Sequence, residues 1–307
     1  GHNWVKDRYV SPAKPLTRFF HETVLEDGTV ARTKRIYIPS KLDDNPALTR
    51  SDPDYWHRVV ESAADNEALL KAWRWGIWDI VAGGMFDDLW REQAHVIQPF
   101  MVPPSWRVDR CFDWGSSQPF SVQWWAECDG TSLPNGKSYP PKTLFQVAEW
   151  YGWNGKPNQG LRMDDVQIAR QILQIEANLR GTILQPGTTI YPGPADLPDT
   201  KRNGVTIEDE MARVGVRWTK PDKSSRVTGW KNVRKMLRAS RQSPMEEAGL
   251  FVFNTCRQFI RTFPVLPRDE RNPDDVDTTA EDHPGDVCRY RVQEVRREVK
   301  VVKLKGF

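Results

Sequence analysis

Two aspartates stand where short apolar stretches end and a third stands where a helical pattern begins, and their chemistry frames the rest of the chain. Asp113 closes Cys111-Phe112-Asp113-Trp114-Gly115, and Asp196 ends Tyr191-Pro192-Gly193-Pro194-Ala195-Asp196. Asp286 lies in Glu281-Asp282-His283-Pro284-Gly285-Asp286, ahead of an apolar helical pattern. A carboxylate between Phe and Trp is costly to bury without a partner, and a metal ion is one such partner. Taken singly, each acid also reads as a turn or helix cap. Taken together, carboxylates from separate element ends can hold two divalent cations roughly 3.5–4 Å apart, for in-line attack of water on a phosphodiester. All-oxygen ligation favours Mg²⁺ or Mn²⁺ over zinc. Asp286 is the expected third direct ligand. Asp282, four residues earlier and able to share its side of the turn, and His283 are expected as a peripheral ligand or proton carrier, and Asp282 can exchange roles with Asp286.

The charge distribution suits such chemistry. The net charge is only +3, yet residues 213–241 carry ten Lys/Arg against the single acid Asp222, and residues 269–286 carry eight acids against Arg271. A basic stripe draws in a polyanion while an acidic cluster binds cations. On charge alone, a solvated helix face beside an acidic loop would look the same. Lys220, Lys223, Arg226, Lys231, Arg234, Lys235 and Arg238 lie on or beside one predicted helix and are the expected DNA-phosphate contacts. Phosphate contacts position a duplex without reading it, so weak sequence preference is expected.

Other chemistries find no support. Gly130 to Gly136-Lys137-Ser138 resembles a phosphate-binding P-loop but has five residues between its glycines instead of four, and no helix start follows. The four cysteines form no C-x-x-C pair and the five histidines are dispersed, which argues against a zinc site or a disulfide framework and suits a reducing cytoplasm. No apolar run reaches the roughly 18 residues that a membrane span needs, and no secretion signal opens the chain.

The elements that must position the acids follow from periodicity. Val30–Ile38 has strand character. Asp52-Pro53 starts a helix that places Tyr55, Val59 and Ala63 on one face, and Asn66 to Trp75 forms another, stopped by Gly76. Pro99, Pro103 and Pro104 mark a boundary between residues 1–98 and 99–307. Beyond it, Trp106–Trp114, Phe120–Glu127 and Leu144–Trp150 read as an antiparallel meander. A long helix carries Ile168, Ile172, Ile175 and Leu179. Then come a short strand at Thr189–Tyr191, helices around 206–214 and 225–239 flanking a strand at Val216–Trp218, a strand at Leu250–Phe253, and a helix from Pro284 through Val295. The expected fold is α/β: a ribonuclease-H-like mixed sheet whose first three strands are antiparallel, flanked by helices.

Several motifs occur in order: Gly1-His2-Asn3-Trp4-Val5-Lys6-Asp7-Arg8-Tyr9, Trp75-Gly76-Ile77-Trp78-Asp79 with Gly83-Gly84-Met85-Phe86, Asp113-Trp114-Gly115, Ala195-Asp196, Arg226-Val227-Thr228-Gly229-Trp230, and Asp282-His283 with Asp286 and Arg289-Tyr290. Together they resemble the large terminase subunit of tailed double-stranded DNA phages, over nearly the whole chain. The resemblance implies an endonuclease that cuts concatemeric DNA during genome packaging, with Asp113, Asp196 and Asp286 where the family's metal-binding acids fall. It implies that residues 1–98 are the end of the packaging ATPase domain with its Walker motifs upstream, so that this fragment cuts DNA without hydrolysing ATP. The implied partners are double-stranded DNA, the small terminase subunit and the portal protein, in a homo-oligomeric motor whose isolated fragment is monomeric. The implied setting is the cytoplasm of the infected bacterial host, transiently on the procapsid portal. Two rival readings remain: another ribonuclease-H-fold nuclease (transposase, integrase or resolvase), and a non-catalytic DNA-binding or portal-docking module.

Overall fold

A computed structural model of the chain describes residues 5–25, 27–62, 67–76, 78, 84–156, 158–199 and 204–294. Two compact units divide between Ala82 and Gly83.

In the first unit, β1 (Arg18–Val24) and β2 (Val30–Ile36) form an antiparallel hairpin. Its turn is closed by Asp27, whose carboxylate accepts from the Thr29 amide at 2.9 Å. β2 was expected; β1 was not, because its adjacent Phe19 and Phe20 break the alternation that marks a half-buried strand. Three helices follow: α1 (Pro46–Ser51), α2 (Tyr55–Ser62) and α3 (Glu67–Trp75). The expected positions Ala63 and Asn66, together with Gly1 to Trp4, lie outside the described residues. None of this unit's described residues is buried, while Leu16, Phe20, Val24, Val30 and Ile38 are exposed. Cations lie over its aromatic rings, with Arg32 3.9 Å from the Phe20 ring centre and Arg74 5.1 Å from that of Trp56.

The second unit is built on six strands, β3 (Val96–Ile97), β4 (Arg107–Asp113), β5 (Ser121–Glu127), β6 (Leu144–Tyr151), β7 (Ile190–Asp196) and β8 (Leu250–Phe253), in the spatial order β3-β8-β6-β5-β4-β7. β4, β5 and β6 form the expected antiparallel meander, β7 runs parallel to β4, and β8 runs parallel to β6. This is the mixed, helix-flanked sheet of the ribonuclease-H-like expectation. The helices are α4 (Glu92–His95), α5 (Asp165–Leu179), α6 (Ile207–Val214), α7 (Arg226–Ala239), α8 (Arg257–Thr262) and α9 (His283–Gln293).

The unit begins earlier than the prolines suggest. Met85, Phe86 and Leu89 are buried, Phe86 stacks on Phe263 with ring centres 4.1 Å apart, and β3 extends the sheet beyond β8. Segment 84–98 therefore packs with the six-stranded sheet, and the division expected at 98/99 moves to 82/83. Two further expectations are corrected. Val216–Trp218 is not a strand: Val216 and Trp218 are buried from a loop, and only Thr219 bridges to Pro194. The strand expected at Thr189–Tyr191 runs on to Asp196 despite Pro192 and Pro194. Prolines are tolerated on edge strands and at irregularities; β7 borders the sheet, and its register against β4 shifts between Arg110 and Phe112. The segment 130–138 is a hairpin loop between β5 and β6, as expected. Val295 lies outside the described residues.

Six of the seven residues of β5 are buried, because helices cover both faces of the sheet. On one face Trp124 donates to Glu176 of α5 at 3.1 Å. On the other, Gln123 donates to the Pro284 carbonyl of α9 at 2.8 Å, and Trp125 meets Phe259 of α8 edge-on. Arg110 of β4 reaches the same Glu176 oxygen at 2.8 Å, so one buried carboxylate ties β4, β5 and α5 together. Glu176→Ala would leave a buried guanidinium and an indole N–H without their acceptor. The expected cost is about 3–5 kcal/mol in denaturant melts, and a loss under about 1 kcal/mol would show that the network does not anchor β4.

Candidate metal centre

β4 and β7 deliver their last residues side by side: in the parallel register Asp113 lies opposite Asp196, and the Trp114 amide donates to the Asp196 carbonyl at 3.1 Å. The close approach needs Gly193, where an added Cβ would stand 2.4 Å from the Arg110 carbonyl oxygen. Beyond β7, Ala195 and Gly193 exchange backbone bonds of 3.0 and 2.9 Å with Thr219, which pins the strand from its outer side.

The third acid arrives from α9. Pro284 occupies the first helical turn, where a missing N–H costs nothing, and Gly285 lets Leu266 pack close, since a Cβ there would stand 2.5 Å from Leu266 Cδ1. α9 packs against α7 and α8 and crosses β4, β5 and β7. Gly229 permits the α7 contact: a Cβ there would stand 2.3 Å from Gln293 Oε1 and 2.6 Å from Arg289 Cγ. Asp286 and Asp282 are both buried, and the Asp286 amide donates to the Asp282 carbonyl at 2.9 Å.

A ring of cationic and hydroxyl donors holds two of the acids. Asp196 accepts from Lys223 Nζ at 2.6 Å and from the Tyr290 hydroxyl at 2.6 Å. Asp286 accepts from Arg226 Nη1 and from Arg289 Nε, each at 2.9 Å. Arg226 is itself held by both oxygens of Asp275 at 3.1 Å, and Trp230 Nε1 donates to Asp275 at 2.8 Å. His283 Nδ1 lies 3.6 Å from Asp282 Oδ1, an ion pair only when the ring is protonated.

Asp113 is different. Among the described residues its carboxylate has no hydrogen-bond or ion-pair partner. It is only half-buried by surface area, yet poor solvation raises its carboxyl well above the usual range; repulsion from Asp286, Asp196 and Asp282 adds to this, and Arg289 opposes it. Asp282 is pushed up to about 7, first by burial and then by Asp286. Burial lowers His283 and raises the Tyr290 hydroxyl.

No three His, Cys, Asp or Glu side chains among the described residues stand close enough to hold a metal ion in the geometry seen. In that geometry Lys223, Tyr290, Arg226 and Arg289 engage the oxygens of Asp196 and Asp286. The donor chemistry nevertheless fits a hard divalent cation, since the acids that act on Asp113 offer only oxygen and its negative field lacks a direct counter-charge. All four cysteines are buried and none is in a disulfide.

The basic residues divide by helix face. Arg226 and Arg234 point into the protein, Arg226 to Asp275 and Asp286 and Arg234 to Asp88 at 2.9 Å. Lys223 sits on Asp196. Lys231 and Lys235 make exposed pairs with Asp274 at 3.9 Å and Glu247 at 3.0 Å. Lys220 and Arg238 are exposed without an acidic partner among the described residues. Sequence reasoning did not assign site roles to Asp275, Arg289 and Tyr290. Arg289 and Tyr290 follow Asp286 by three and four residues, a spacing that shares a helix face and was available as a signal. Asp275 is 49 residues from Arg226, and nothing local announces that pairing.

No protein-family model matches the sequence, and no curated protein matches it. Among solved structures, the chain is similar to the P22 large terminase nuclease domain, at 17% identity and a TM-score of 0.47, covering 68% of this chain and 91% of that one. It is similar to the large terminase of a thermophilic bacteriophage in complex with ADP, at 16% identity and a TM-score of 0.48 over 84% of this chain, and spans 55% of that protein's length. The large terminase nuclease from thermophilic phage G20c with bound cobalt is also similar, at 11% identity and a TM-score of 0.41, with 68% and 96% covered.

The Asp282 shift has a sign that can be measured. Its carboxyl titrates near 3.8 in an unfolded chain and about 7 here, so the folded state favours the protonated form. The stabilisation is complete below about pH 4 and is lost as pH rises through 7. Metal-free Asp282→Asn is expected to be more stable than the parent at pH 7 and to show a flatter melting temperature across that window. An unchanged slope would place the titration elsewhere.

Proposed function

We propose that the chain is a metal-dependent DNA endonuclease, which cuts concatemeric double-stranded viral DNA during genome packaging. The observation that carries this reading is the pairing of Asp113 with Asp196 on neighbouring parallel strand ends, with the field of Asp286 and Asp282 acting on the same carboxylate. Asp113, Asp196 and Asp286 would hold two Mg²⁺ or Mn²⁺ ions, with Asp282 and His283 at the periphery. When bound, the ions supply an activated water and stabilise the leaving oxygen of a phosphodiester.

The chain's own residues do the remaining work. Arg289 and Arg226 hold Asp286 in place, and Tyr290 orients Asp196. Lys223 must share or yield its hold on Asp196 when a divalent ion arrives. Lys220 and Arg238 meet DNA phosphates, joined by Lys231 and Lys235, whose exposed ion pairs contribute little to stability. The motif resemblance supports the first unit, before the division at 82/83, as part of a packaging ATPase domain. It also supports the small terminase subunit and the portal protein as partners, in a homo-oligomeric motor in the cytoplasm of the infected bacterial host.

One observation favours a rival. The ion pairs on Asp196 and Asp286 would also suit a non-catalytic DNA-binding module, in which the acids only brace α7 and α9. Plasmid DNA incubated with Mg²⁺ or Mn²⁺, with and without EDTA, separates the two. Nicking by the parent is expected to vanish with EDTA. In Asp113→Asn it should fall by more than the roughly 10–100-fold typical of residues that merely support a ligand. Equal nicking by parent and variant, or binding without any nicking, would sink the nuclease reading. Lys220→Ala and Arg238→Ala should each flatten the log–log salt dependence of DNA binding by about 0.9 per lost phosphate contact, and an unchanged slope removes that residue from the interface.

A further inference from the structure

A charge-balanced cluster stands at the same end of the sheet as the acids. Tyr151, the last residue of β6, lies opposite Ser121 of β5, which in turn lies opposite Asp113. Its backbone is therefore two strand spacings from that of Asp113, roughly 10 Å across the sheet. The Tyr151 hydroxyl donates to the Glu281 carboxylate at 3.0 Å. Arg261 of α8 grips the same carboxylate with both arms of its guanidinium, at 2.7 and 2.9 Å. Arg261 is itself fixed, since its Nε donates to Gln258 at 2.8 Å and its guanidinium lies 5.0 Å from the Trp153 ring centre. Glu149 of β6 accepts from the Phe259 amide at 2.9 Å and ties α8 to the sheet. Glu281 is thus anchored to two elements, and a bidentate pair adds geometric definition as well as energy.

Asp282, the next residue, has no such hold on its own side chain. It is buried, yet it opens α9 without a side-chain hydrogen bond to cap the helix, and its ion-pair contact is His283 Nδ1 at 3.6 Å. Its carbonyl accepts from the Asp286 amide at 2.9 Å, so its backbone begins the helix that carries Asp286. Asp282 is placed through its backbone. One peptide link, about 3.8 Å between Cα atoms, joins it to the residue that Arg261 and Tyr151 clamp.

We propose that Glu281 is a positioning residue for the metal centre: held by Arg261 and Tyr151, it sets where Asp282 stands at the start of α9. The role rests on the nuclease reading, in which Asp282 stands at the periphery of bound divalent ions. A residue that orients a ligand from behind ordinarily changes metal affinity by about 10–100-fold.

Mn²⁺ binding to the full chain without DNA, followed by loss of the free-ion EPR signal, tests this with no cutting involved. Glu281→Gln is expected to weaken Mn²⁺ binding about tenfold or more. Tyr151→Phe, which removes one hydrogen bond and keeps the ring, should weaken it about threefold or more, and it decides the matter if Glu281→Gln fails to fold. Because the effect passes through Asp282, either substitution should add less than about twofold when made in Asp282→Asn. A brace that serves stability alone would lower the melting temperature of these variants and leave the Mn²⁺ affinity of the folded chain unchanged, which overturns the proposal. An undiminished loss on top of Asp282→Asn overturns it too, since the clamp would then act elsewhere. If the parent binds no Mn²⁺, the metal reading falls along with the clamp; if parent and variants bind equally well, that reading stands and only the clamp is removed.

Discussion

The second unit depends on one electrostatic problem: several carboxylates are gathered at one end of the sheet, where water is too scarce to screen them. Poorly solvated like charges interact strongly, and burial raises the cost of each. The fold answers with three cations and a hydroxyl, Arg226 and Arg289 on Asp286, Lys223 and Tyr290 on Asp196. Asp113 receives no such partner among the described residues and is pushed toward its protonated form. An arrangement that neutralises two acids internally and leaves the third exposed to all their fields has a ready use for an added cation. It otherwise stores repulsion without benefit to stability.

Close packing makes that gathering possible. Gly193 lets β7 come against β4, and Gly229 lets α7 come against α9; a methyl group at either position would collide with backbone or with a buried arginine. Arg289, 1% exposed, is at once a core side chain and an electrostatic one: it passes beside Trp230, donates to Asp286, and donates to Gln293. The Asp275–Arg226–Asp286 chain adds the acidic loop to the same assembly. Acids and bases that look like separate clusters along the chain are therefore largely each other's partners.

That pairing changes what the basic segment means. Along α7, Trp230, Val233 and Leu237 face the core, and Arg226 and Arg234 lie toward the same side with their charges met by protein carboxylates. Lys231, Lys235 and Arg238 occupy the outer face. Net local charge overstates the footprint available to a polyanion, because it counts cations that are already neutralised. The surface that remains is narrower and faces outward.

Much of the architecture was legible without coordinates. The meander of β4, β5 and β6, the helix carrying Ile168 and Ile172, and the helix opening at Pro284 all follow from periodicity and capping, which are local and survive in a linear string. Asp113 and Asp196 were legible as acids at the ends of apolar stretches, and Asp286 as an acid in the first turn of a helix. What could not be read was decided over long separations in sequence. Val216 and Trp218 alternate like a strand but are buried from a loop, β7 runs through two prolines because it borders the sheet, and Met85 and Phe86 join a core whose other half lies near residue 263. The sequence alone determined which groups carry charge and which segments are helix or strand. Only the tertiary structure decided which carboxylate meets which guanidinium, because an ion pair forms by distance in space, and spacing along the chain says nothing of it beyond one helical turn.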